Sequence, residues 1–97
     1  MSAGRIVGKV VEISSSGDLV TDISNEQIAQ VPSGLDVIVQ CEDHQTRGIL
    51  PADHGEAAMT LVAVRGTSGF LELQLVGESA QAFLGIRRGA EVIVNWG

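Results

Sequence analysis

Apolar residues along this 97-residue chain recur at every second position or in short unbroken runs, and clusters of Gly and Ser separate the runs. That rhythm belongs to β-strands, whose successive side chains point to opposite faces. Ile6–Ile13, a β-branched run interrupted by Lys9 and Glu12, predicts a first strand, and Leu19–Ile23 predicts its return. The intervening Ser14-Ser15-Ser16-Gly17-Asp18 is turn chemistry: Gly accepts positive φ without steric cost, and Ser and Asp side chains bond the turn backbone. Asp36–Cys41 predicts another strand, paired with Thr46–Leu50 across Glu42-Asp43-His44-Gln45. Met59–Val64 and Gly69–Val76 predict a further hairpin about Arg65-Gly66-Thr67-Ser68, and Glu91–Trp96 a last strand.

Two short helices punctuate the strands. Ser24 followed by Gln27 is a capping-box pattern ahead of Ile28, and Val31-Pro32 ends the segment because the residue before proline is pushed out of the α region. Ser79 is placed to cap a second helix over Ala80–Leu84, with Gly85 at the left-handed C-cap. About seven strands and two short helices in one domain, residues 1–97, predict an all-β fold: a small, mainly antiparallel barrel or sandwich. Parallel crossovers, which take about a dozen or more residues each, are not expected.

Composition narrows the function classes. A hydrophobic share of 44% with 19% charged residues excludes intrinsic disorder. Six Lys plus Arg against twelve Asp plus Glu give a net charge of −6, so the phosphate-neutralising term of nucleic-acid binding is missing. The aromatic residues, Phe70, Phe83 and Trp96, are too few for a base-stacking platform. No apolar run approaches the roughly 18 residues of a membrane span, and Met1-Ser2-Ala3-Gly4-Arg5 lacks the layout of a signal peptide. The single Cys41 suits a reducing compartment. The expectation is a cytoplasmic protein that binds neither nucleic acid nor membrane.

Familiar catalytic and metal-binding patterns are weak. Cys41 and His44, with Asp53-His54 further on, lack the tight Cys-x-x-Cys or His-x-x-x-His spacing of a zinc site, and no metal is expected. Cys41 ends an apolar run beside Glu42 and Asp43, a setting that raises a thiol's pKa and argues against a nucleophile. Glu42/Asp43 and Asp18/Asp22 are carboxylate pairs without a visible cleft, and Arg87-Arg88 reads as a turn feature. Glycine-rich phosphate loops are absent.

Two stretches are more specific. Gly8-Lys9-Val10-Val11-Glu12-Ile13-Ser14-Ser15-Ser16-Gly17-Asp18-Leu19-Val20-Thr21-Asp22-Ile23 is similar to a hairpin reading G-x-V-x-x-I-D-x-F-G-N-L-x-T-N-I. Gly66-Thr67-Ser68-Gly69-Phe70-Leu71-Glu72-Leu73, followed by Glu78-Ser79-Ala80-Gln81-Ala82-Phe83-Leu84-Gly85-Ile86-Arg87-Arg88-Gly89-Ala90-Glu91-Val92, is similar to S-S-G-Y-L-E-I-A-V-N-x-G-S-A-A-x-x-L-G-L-x-x-G-D-x-V. In order and spacing these resemble the C-terminal domain of the S-adenosylmethionine hydroxide adenosyltransferases, the family that includes the chlorinase and fluorinase. The match runs over nearly the whole chain, and Gln40–Met59 aligns poorly.

The resemblance implies a barrel-like β domain that in full-length members follows a larger α/β domain. Those enzymes are trimers, with the adenosyl ligand between the N-terminal domain of one subunit and the C-terminal domain of its neighbour. The groups that activate water or halide belong to the N-terminal domain, so this chain alone is expected not to carry out the reaction and to hold no catalytic residue. By the same resemblance Ser14, Asp18, Thr67, Ser68 and Phe70 are the candidate ligand residues. Ser14 stands where the family has an Asp that holds the methionine ammonium, and Asp18 where it has an adenine-reading Asn. A carboxylate only accepts hydrogen bonds, whereas an adenine edge needs a donor as well. Ser16, Asp22 and Val76 are further departures; Gly17, Thr21, Gly69, Glu72, Gly85 and Gly89 keep the scaffold pattern.

The expected function is therefore a non-catalytic, stand-alone β module for protein interaction or self-assembly. Its expected partner is a second copy (a trimer, by the resemblance) or a separate protein, and it requires no cofactor. The alternatives are a module that binds S-adenosylmethionine or adenosine, and the C-terminal part of a split enzyme completed by a separate α/β chain.

Overall fold

The first hairpin sets the pattern for the rest of the molecule. In the computed structural model, which describes residues 4–31, 36–51 and 53–96, β1 (Gly4–Ile13) and β2 (Leu19–Ser24) pair antiparallel around the 14–18 turn. Their inward positions Val10, Leu19 and Ile23 are almost wholly buried, as the alternation requires. Helix α1 (Asn25–Ile28) follows directly and inserts Ile28 into the core. Its capping box forms as expected: the Gln27 amide N–H donates to the Ser24 hydroxyl over 3.1 Å, and the Ser24 N–H donates to the Gln27 side chain over 2.8 Å. The proposed stop at Pro32 lies outside the described residues.

Two regular strands complete this side: β3 (Ile38–Cys41), and β8 (Glu91–Trp96), which pairs antiparallel with both β1 and β3. β4 (His44–Arg47) and β5 (Ile49–Pro51) occupy the segment read as one strand, Thr46–Leu50. Gly48 divides it: its φ is 80°, and its N–H donates to the Val37 carbonyl at 2.7 Å, so the chain turns out of one ladder into another. The turn before it is tighter than expected, because His44 and Gln45 already belong to β4 and only Glu42 and Asp43 bridge the hairpin.

β6 (Leu61–Arg65) and β7 (Phe70–Leu75) form the second long hairpin, and α2 (Ala80–Leu84) spans the expected residues. Ser79 caps α2 by accepting from Ala82, and Gly85 ends it at φ 71°, in the left-handed region that the C-cap requires. Among the described residues there are thus eight strands and two short helices, in the order β4-β3-β8-β1-β2-β7-β6-β5. The fold class is the expected one, mostly β and barrel-like, with one correction. β5 pairs parallel to β6, so the sheet is mixed; the connection is shorter than a dozen residues, and its described part, 53–60, forms turns and irregular chain without a helix. The barrel nearly closes where the Thr46 hydroxyl of β4 donates to the Leu61 carbonyl of β6 over 2.9 Å.

Inside lie Val39, Val92 and Val94 from one half of the sheet and Ala63, Leu71 and Leu73 from the other, sealed by Ala80 and Ile86. Two polar side chains mend the ladder where β2 departs from regular register. The buried Thr21 hydroxyl donates to the Leu71 carbonyl at 2.7 Å and accepts from the Ile23 N–H at 3.2 Å. Asp22 accepts from the Lys9 N–H at 2.9 Å.

Candidate functional site

β7 alternates cleanly: Leu71, Leu73 and Leu75 point to the core, so Glu72 and Gln74 project from the outer face. Register sets Val20 opposite Glu72 on β2 and Val64 opposite Glu72 on β6, which makes a row across three strands. Unusually for an outer face, this row is buried: Val20, Val62, Val64 and Glu72 are each no more than 7% exposed. The 52–60 crossover brings His54 to the same side, and there an open cleft of about 410 Å³ forms. Ser16 and Asp18 of the first turn line one wall, His54 another, and Gln74 to Ser79 the floor and far side.

Glu72 organises the polar part of this face. One carboxylate oxygen accepts from the Ser68 hydroxyl at 2.7 Å, and the other from the Gln74 amide at 3.4 Å. Gly66 is the residue behind it, because a Cβ there would run into the Glu72 carboxylate, its Cγ at 2.6 Å. Burial, and secondarily the negative charge of Glu72, raise the Asp18 carboxyl above the ordinary aspartate value. The half-buried Asp18 carboxyl therefore favours proton retention or a cationic neighbour.

The five residues singled out by resemblance fall into two groups. Ser14 and Asp18 meet in the first turn, where the Ser14 hydroxyl accepts from the Asp18 N–H at 3.1 Å and from the Ser16 N–H at 3.3 Å. Thr67 and Ser68 sit in the β6–β7 turn and Phe70 opens β7, with Phe70 39% exposed. Ser24 pairs with Phe70, whereas Leu19 pairs with Leu73, so the groups stand three residues, or roughly 10 Å, apart along β7. Of the five, Asp18 alone lines the cleft. Glu72, Gln74 and His54 were not among the candidates, yet the alternation of Phe70–Leu75 already carries the signal for two of them.

Asn25 ties the second group to the fold. Its side-chain amide donates to the Gly66 carbonyl at 2.9 Å and its backbone N–H to Gly69 at 2.9 Å. Cys41 behaves as expected: it is 2% exposed, and burial, then the neighbouring Glu42, pushes its thiol up to about 11. His44 stands directly opposite it in register, but a thiol held protonated at neutral pH is a poor nucleophile. Among the described residues, His, Cys, Asp and Glu form no group of three or more with metal-holding geometry. No described helix is long and apolar enough to cross a membrane.

No family model matches the chain, and no curated protein matches it. Solved structures do. An uncharacterized conserved protein from Thermotoga maritima superposes with a TM-score of 0.76 at 20% identity, over 91% of this chain and 35% of that one. A conserved hypothetical protein from Thermus thermophilus gives 0.65 at 19% identity, over 91% and 32%. At such identities the likeness establishes the fold. The chain spans about a third of the length of these solved chains.

Proposed function

We propose that this barrel is a non-catalytic docking module, of the kind found as the C-terminal domain of the S-adenosylmethionine hydroxide adenosyltransferases, and that it acts by packing against protein. The observation that carries this reading is that two of the five side chains an adenosyl ligand would use are spent on the fold. Ser14 holds its own turn, and Ser68 is bound to Glu72. The two ligand groups stand roughly 10 Å apart along β7, and a partner surface would complete the pocket between them. In the two similar solved chains this fold likewise accompanies about twice its own length of further polypeptide, which supports a domain that works beside another.

Titration calorimetry with S-adenosylmethionine, adenosine and methionine tests the reading. The expected result is no heat and no thermal shift at about 1 mM ligand, a concentration that would reveal binding as weak as roughly −4 kcal/mol. Saturable heat from any of the three would overturn it. It would favour the second reading, an adenosyl-binding module, for which the partly buried Asp18 at the rim of the cleft is the supporting feature.

A further inference from the structure

The two halves of the sheet treat their outer faces differently. Over β2, β7 and β6 the outward side chains at mid-sheet, Val20, Glu72, Val62 and Val64, are buried, while Asp22 and Phe70 nearer the strand ends are exposed. Over β4, β3, β8 and β1 they are open: Arg5, Val7 and Lys9 on β1 are exposed, and Ile93 and Asn95 on β8 are half-buried. Val7 is 52% exposed, a large value for a β-branched residue in the middle of a ten-residue strand; its ladder partner is Ile93 on β8, and the pairing with β2 begins only at Val10.

Charge separates this face from the rest of the surface. The chain carries −6 in all. The open face bears three cations, Arg5, Lys9 and Arg47, and along its edges four acids, Asp22, Asp36, Glu42 and Glu91; Asp22 is exposed and accepts from the Lys9 N–H. Its net charge is −1. The remaining surface holds −5, with three basic residues against eight acidic ones. Two copies therefore repel each other least when they meet through this face.

The face is also complementary to itself. Within one copy, register sets Val7 opposite Ile93, Lys9 opposite Glu91 and Arg5 opposite Asn95. A twofold axis parallel to the strands and running between β1 and β8 exchanges those two strands between copies. Each Val7 then lies over Ile93 of the other copy, and each Lys9 over Glu91 of the other copy. An apolar centre is flanked by opposite charges, which is the requirement for an isologous contact. We infer that this face is a self-pairing surface through which two copies of the chain form a twofold dimer; the inference rests on the docking reading above and names its partner. The patch is roughly 20 Å square, about 400 Å² per copy, below the usual size of stable specific interfaces, so the dimer is a weak one that forms at micromolar to millimolar concentration.

The test is the solution mass by sedimentation and light scattering, from about 10 μM to about 1 mM protein. The expected mass rises from 10.1 kDa towards twice that value, and does so less steeply at high salt. Val7→Glu is expected to stay monomeric, and Lys9→Glu to raise the dissociation constant at least about tenfold by setting like charges together. The swap Lys9→Glu with Glu91→Lys is expected to restore dimerisation, which a merely misfolded variant would not do. Phe83→Glu on α2, exposed and off this face, should pair like the parent and serves as the control. A parent that remains monomeric to about 1 mM, a mass that converges on three copies, or pairing untouched by Val7→Glu would each overturn the inference. None of these bears on nucleoside binding, which separately tests the docking reading.

Discussion

Gly17 and Gly69 allow a test of how the first turn is held. Both occupy positive φ, +86° and +93°, so replacing either with Ala incurs the same left-handed backbone cost, about 1–2 kcal/mol. They differ in their surroundings. A Cβ on Gly69 meets nothing within 4 Å, whereas one on Gly17 would overlap the Ser79 hydroxyl and come within 2.5 Å of its Cβ and 2.8 Å of its Cα. Ser79 cannot yield easily, because its hydroxyl caps α2 and the Gln81 N–H donates to the Gly17 carbonyl at 2.9 Å. Overpacking of this kind adds about 1–3 kcal/mol. Gly69→Ala should therefore cost about 1–2 kcal/mol and Gly17→Ala about 2–5 kcal/mol. In a chain of this size each kcal/mol lowers Tm by roughly 4–8 °C. Urea unfolding of the two variants, compared at equal m, measures the difference directly. If Gly17→Ala costs no more than Gly69→Ala, the first turn is not packed on the start of α2 and the geometry of the cleft wall is wrong.

Three further outcomes follow from the same structure. Thr21→Val keeps the shape but strips a buried hydroxyl from the Leu71 carbonyl and the Ile23 N–H; a loss of about 2 kcal/mol is expected in chemical denaturation, and a neutral result would remove its ladder-mending role. Asp18→Asn should stabilise the fold at neutral pH: burial and Glu72 raise the folded-state pKa of Asp18, so its ionised form weakens the fold, and that penalty disappears once the pH falls below the ordinary value near 3.8. The gain should stay under about 1 kcal/mol, since much of the side chain faces solvent, and a gain that persists unchanged at acid pH would contradict it. Cys41 should resist alkylation in the folded protein at about pH 8 and react promptly once unfolded, as mass spectrometry would register; fast labelling of the native chain would place the thiol outside the core.

Local chemistry was enough to read the short-range features. The Ser24–Gln27 capping box, the Ser79 cap, the left-handed Gly85 and the 14–18 turn all depend on groups within five residues of one another, and each formed where its residue types demand. Alternation likewise marks the core face of β7, because a side-chain period of two needs no knowledge of the partner strand, whereas the apolar runs Ile6-Val7, Val10-Val11 and Val92-Ile93-Val94 leave the faces of β1 and β8 undecided. Which strand lies beside which is another matter. Alternation is blind to it, and so the split at Gly48, the parallel pairing of β5 with β6 and the closure from Thr46 to Leu61 came only from long-range packing. The same limit applies to the candidate site. The family resemblance brought Ser14, Asp18, Thr67, Ser68 and Phe70 together as candidates, but β7 sets the two groups apart, and the crossover decides that His54 joins Asp18 and Gln74. That crossover also lies on the side of the sheet whose outer face is buried and leaves the other face bare. Charge and hydrophobicity per residue are properties of the sequence, whereas the nearly neutral, apolar-centred face around Val7 exists only because β1 and β8 are neighbours.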